Sequence, residues 1–157
     1  MSLLDELQRF RVIDAHAHNW SLFADTEYFA RCLDRFDIKA IVLLSNLTGG
    51  YDPEPDEVAA ANEATARVRD EIGERILPFC YVNATHTNHA LAQIDHWSGQ
   101  GFCALKFWVS QHATNERTWT VVEAALARGW TILYHSYYRP HGEAPPNEAQ
   151  PMEIAEL

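Results

Sequence analysis

Val12-Ile13-Asp14-Ala15-His16-Ala17-His18 is the stretch whose reading decides the fold and the chemistry. Its lead-in from Arg11 is β-branched and free of breakers, which predicts the start of a buried strand running from Arg11 to about His16. In a strand, residues at i, i+2 and i+4 share one face, about 6.5–7 Å apart per step. Asp14, His16 and His18 therefore line one side, and the two small alanines leave room on the other. Two neutral imidazoles on one rigid strand suit a transition metal such as zinc. Asp14 is open to two duties, as a further ligand or as a carboxylate that orients a ligand histidine.

Working outward, a short helix over Leu3 to Phe10 precedes this strand, with Leu3, Leu4, Leu7 and Phe10 on one side. A loop from Asn19 to Ala24 follows it. Asp25 or Thr26 then caps a helix whose apolar face is Phe29, Cys32, Leu33 and Phe36. Ile38 to Leu44 is a near-continuous apolar run, the pattern of a strand buried on both faces. After a turn-rich loop to Pro55, Asp56 caps a helix that Gly73 ends. Arg75 to Val82 is a third strand, expected to begin properly only after Pro78, which lacks an N–H. Thr87 or Asn88 caps a helix carrying Leu91, Ile94 and Trp97. Phe102 to Val109 is a fourth strand. Thr114 or Asn115 caps a helix with Trp119, Val122, Ala125 and Leu126 inward. Trp130 to Ser136 is a fifth strand, and Pro151 starts a further helix beyond a proline-rich loop. Five β-α alternations with short connections predict a parallel sheet covered by helices. Neither a GxGxxG nor a GxxxxGK[ST] motif follows any strand, so the phosphate cradles of nucleotide-binding α/β folds are missing.

The polar residues collect at one end of these strands. The first offers Asp14, His16 and His18; the second Ser45 and Asn46; the third Asn83; the fourth Lys106; the fifth His135. In parallel β/α folds ligands bind at the C-terminal strand ends. His135 follows the apolar run Thr131 to Tyr134 and is a candidate third ligand. Lys106 sits among Ala104, Leu105, Phe107 and Trp108, an expensive place for a charge. It is open to several duties: binding a substrate anion, acting as a base, being carboxylated to bridge two metals, or pairing with Asp14. Trp20, Phe23, Trp108 and Tyr137 are available to line an aromatic pocket, and Asn83 faces the same end. His86, His89 and His96 read as solvent-exposed; His112 and His141 are lesser candidates for the site.

Bulk properties narrow the classes. The chain has 157 residues, enough for one domain over 1–157 with a real core. Its net charge of -10 argues against nucleic-acid and anionic-membrane surfaces, which need basic patches. No apolar run is long enough to span a bilayer, and the acidic N-terminus is no secretory signal. Cys32, Cys80 and Cys103 lie in apolar runs without Cys-x-x-Cys spacing. They read as buried free thiols, which points to a reducing compartment, the cytoplasm.

The ordered set of segments resembles the amidohydrolase superfamily, in its amidohydrolase-related branch. Val-Ile-Asp14-Ala-His16-Ala-His18 is similar to that family's first-strand motif. Arg75 to Ala84, Gly101 to Phe107 with Lys106, and Trp130 to Ser136 with His135 are similar to its third-, fourth- and fifth-strand segments. The likeness runs from about Arg11 to Leu157. It implies an α/β fold of the parallel (β/α)8 TIM-barrel type. It also implies one or two divalent metals, zinc first and manganese or iron next, held by His16, His18 and His135. From the residues themselves, Lys106 and Asp14 are the candidate catalytic groups, and Trp20, Asn83 and Trp108 the candidates for meeting a small-molecule substrate. Relatives hydrolyse C–N or C–O bonds in amides and lactones with a metal-activated water; others are non-oxidative decarboxylases of the aminocarboxymuconate semialdehyde type.

The chain departs from that family in length. Such a barrel takes about 250 residues, whereas this sequence supplies about five β/α units. The family's sixth-strand histidine and eighth-strand aspartate have no counterpart. The expectation is a truncated barrel with two open sheet edges: a fragment, a half completed by another chain, or a homo-oligomer. A non-catalytic partial barrel that binds a partner is the competing reading. A phosphoesterase sharing the His-x-His strand ranks last, since its further His/Asp clusters are missing.

Overall fold

A computed structural model describes residues 11–19, 26–44, 50–109, 111–137 and 145–157. The helix expected over residues 3–10, Trp20, Phe23, Ser45, Asn46 and His141 lie outside the described residues. In chain order the elements are β1 (Val12–His18), α1 (Thr26–Arg35), β2 (Ile38–Leu44), α2 (Pro55–Ile72), β3 (Ile76–Val82), a 3-10 turn (Ala84–His86), α3 (Thr87–Ser98), β4 (Ala104–Phe107), α4 (Glu116–Leu126), β5 (Thr131–Tyr134) and α5 (Pro151–Ala155).

The five strands form one sheet in the order β1-β2-β3-β4-β5, and every neighbouring pair is parallel. Each strand is added beside its predecessor, and the sheet curls into a half-barrel. A right-handed crossover repeated in one direction puts successive helices on one side of the sheet. The core shows this alternation. Leu43, Ile41, Ile76 and Ala17 pack with Phe29 and Leu33 of α1 and Val68 of α2. Cys80, Val82, Leu105, Phe107, Ile132 and Tyr134 pack with Ile94 and Trp97 of α3 and Val121, Val122 and Ala125 of α4. Their sequence neighbours His16, His18, Lys106, Leu133 and His135 therefore belong to the opposite, concave face.

Several boundaries differ from expectation for local reasons. The first strand continues through His18, because β2 extends far enough to pair Leu44 with His18. β3 starts at Ile76 and keeps Pro78 in register with Leu43; a proline already has an extended φ and forfeits only one donor. Glu54, not Asp56, caps α2, with Pro55 at its first turn and Glu57 closing a capping box. Asn115 caps α4 as expected, accepting from Arg117 N–H at 2.9 Å. Trp119 and Leu126 do not point inward: they are 37% and 57% exposed, while Thr118, Val121, Val122 and Ala125 face the core. Trp119 and Leu126 share a ridge along the helix that the sheet does not reach. Cys103 is exposed rather than buried, because β4 begins only at Ala104. His86 and His89 are half-buried, and His96 is exposed.

Asn62 of α2 shows how a side chain extends the sheet. The β2–β3 ladder ends with Leu44 opposite Phe79. Two residues on, Tyr81 N–H donates to Asn62 Oδ1 at 2.7 Å, and Asn62 Nδ2 donates to the Tyr81 carbonyl at 2.9 Å. The amide does what a further residue of β2 would do. It also donates to Gln93, which accepts from Trp97 of α3.

Candidate functional site

The histidines of β1 meet. His16 Nε2 and His18 Nε2 stand 2.9 Å apart, with the rings edge-to-face at 4.8 Å. The Leu44 carbonyl of β2 lies 3.3 Å from His18 Nδ1. A carbonyl can only accept, so Nδ1 carries the proton and the lone pair of His18 is on Nε2. His16 then donates to that lone pair. Burial first, and the Lys106 charge second, push His16 below the ordinary histidine value, with Asp14 offsetting part of the effect. Burial and the Lys106 charge thus favour the neutral form of His16. Two nitrogens bound to one tetrahedral zinc stand about 3.3 Å apart, given bonds of about 2.0–2.1 Å. The pair fits two positions on such an ion after opening by a few tenths of an ångström and after the His16 proton moves from Nε2 to Nδ1.

Asp14 has a different place from that expected of strict alternation. The ladder gains a residue on β1 between Asp14 and Ala17, and Asp14 stands in register with Ile41. Its Oδ1 accepts the His16 backbone N–H at 3.0 Å. The carboxylate thereby shapes the bend that presents His16.

Lys106 lies in the middle of the concave face, in register with Tyr81 on one side and Leu133 on the other. It is 1% exposed. Among the described residues no hydrogen bond or ion pair reaches its ammonium, whose nearest described aromatic contact is the Trp108 ring at 6.0 Å from the centroid. Burial pushes this amine down to about 8.

His135 extends β5 by one step, its N–H donating to the Phe107 carbonyl at 3.0 Å. Its ring packs on Trp108 at 4.1 Å, and its Nε2 lies 3.3 Å from Oε1 of Glu148. Glu148 is 1% exposed. Sequence reasoning missed this carboxylate: it lies in a proline-rich loop with no periodicity, and nothing local marks it as buried. Among the described residues no three His, Cys, Asp or Glu side chains gather closely enough to hold an ion, so His135 does not complete a three-ligand group with His16 and His18.

Other candidates have structural duties. The Asn83 amide, 1% exposed, donates to Asp52 and to the Pro53 carbonyl and accepts from Thr85 N–H, capping the 3-10 turn. These bonds use both its donors, which leaves little for a substrate. Trp108 is half-buried between Lys106 and His135, where an aromatic wall would be of use. Tyr137 is exposed. His112 is exposed and bonded to Glu153 of α5 at 3.1 Å.

No family model and no curated protein matches the chain. No described helix is long and apolar enough to cross a membrane.

Proposed function

We propose that the chain is a metal-dependent hydrolase of C–N or C–O bonds, amide or lactone in type, built on the first five units of a (β/α)8 barrel. The observation that carries this reading is the His16–His18 pair, with its tautomer set by Leu44 on the face opposite the helices. His16 and His18 would hold a divalent ion, zinc first and manganese or iron next; His135, which stands apart from the pair in this structure, would have to move towards them to serve as the third ligand. Such an ion, when bound, lowers the pKa of its water to about 7 and polarises a carbonyl. The chain's own residues do the rest. The Lys106 ammonium, held in an apolar layer, attracts the oxygen or carboxylate of a small-molecule substrate. Trp108 walls the space between Lys106 and His135 and excludes water there. Asp14 keeps the β1 bend that aims His16.

Metal analysis tests the proposal. Purified chain reconstituted with zinc, manganese or iron should retain about one equivalent. His16→Ala and His18→Ala should each abolish retention while leaving the circular dichroism spectrum unchanged. Retention of under about a tenth of an equivalent would sink the reading. A non-catalytic partial barrel that binds a partner is favoured by one observation, the absence of a three-ligand group among the described residues. A tight heteromeric or homo-oligomeric complex without metal and without turnover would decide for it.

A further inference from the structure

Residues 145–150 lie against the end of β5, where Glu148 meets His135. Glu148 N–H donates to the Pro145 carbonyl at 3.1 Å, and Asn147 takes a left-handed φ of 68° to close that turn. Asparagine is among the few residues that adopt this conformation readily. The segment is pinned beyond the turn too, by His112 against Glu153. Ala149 is buried beside Glu148. This backbone delivers a buried carboxylate to the edge of one imidazole, His135, whose face is already packed on Trp108.

We propose that Glu148 is the positioning residue of His135: its carboxylate accepts the Nε2 proton and so fixes the neutral tautomer whose lone pair is on Nδ1. An ionised carboxylate can only accept, so the opposite tautomer would set lone pair against lone pair. The same arrangement makes Nδ1 more basic and removes the ring's freedom to flip, the service that carboxylates perform for metal-bound histidines. The inference rests on the metal-hydrolase reading only where it makes His135 a ligand.

Long-range 1H–15N correlation spectra of the histidine rings test it on the metal-free, full-length chain. His135 should appear as the Nε2–H tautomer at pH 7. In Glu148→Ala that preference should collapse to a mixture. In Glu148→Gln it should persist, because the amide oxygen still accepts and the volume is conserved; this variant also covers the case in which Glu148→Ala fails to fold. Zinc affinity should fall about 10–100-fold in Glu148→Ala and much less in Glu148→Gln. A doubly protonated or Nδ1–H ring in the wild type, or an unchanged tautomer in Glu148→Ala, would overturn the proposal. Failure of the ligand assignment shows separately: His135→Ala would then bind zinc as tightly as the wild type, whatever the tautomer.

Discussion

At the scale of the residue, Lys106 is the side chain whose chemistry costs the fold most. Its amine falls from 10.5 to about 8 because the folded chain buries it. A cation whose folded pKa is depressed opposes folding while the unfolded amine is protonated. The penalty is full below about 8 and fades as pH rises towards 10.5, so stability climbs across that window. The span corresponds to about 3 kcal/mol. Lys106→Met, similar in length and without charge, should therefore raise the urea midpoint at pH 7, by roughly 2–3 kcal/mol in unfolding free energy. The advantage over wild type should shrink between pH 8 and 10.5. A pH-independent difference would show that the amine is not the source. A residue that weakens the fold without a described hydrogen-bond or ion-pair partner is the kind kept for a site. His18 is the contrasting case, since one backbone carbonyl sets its proton at little expense.

At the scale of the element, strand and helix types were legible because period and composition agreed. β2, β4 and β5 are short apolar runs, and α1 to α4 carry apolar residues at helical spacing. What was not legible depends on neighbours. The length of β1 depends on β2 pairing as far as Leu44. The inward face of α4 lies to one side of the Trp119–Leu126 ridge, and only the direction of approach to the sheet decides between them. In the site, Asp14, His16 and His18 could be found because one strand carries all three. Glu148 could not, since its meeting with His135 depends on a turn within a loop. The pairing of β3 beyond β2 rests on a side chain in the same way. Asn62→Ala removes the bonds to both backbone groups of Tyr81 in a buried place and should cost about 2–4 kcal/mol. Asn115→Ala, which deletes an ordinary helix cap, should cost about 1 kcal/mol. Chemical denaturation of the two variants side by side checks the order; equal losses would mean that Asn62 is a cap-like contact and not part of the sheet.

At the scale of the whole molecule, stability should grade from the middle of the sheet to its edges. All four residues of β4 are buried, and β3 is nearly so. At the margins Ile13 of β1 is 55% exposed and Thr131 of β5 is exposed. Native-state hydrogen exchange should find the slowest amides in β3 and β4 and the fastest strand amides in β1 and β5. Uniform protection would require both edges to be covered in solution. The strand order β1-β2-β3-β4-β5 has a consequence in time as well as in space. Each strand needs only the one made just before it, so the sheet can grow in the order of synthesis, with little loop entropy to overcome at any step. The carbonyl that sets His18 comes from Leu44, only 26 residues downstream. The His16–His18 pair can therefore take this arrangement of protons while the later strands of the sheet are still being translated.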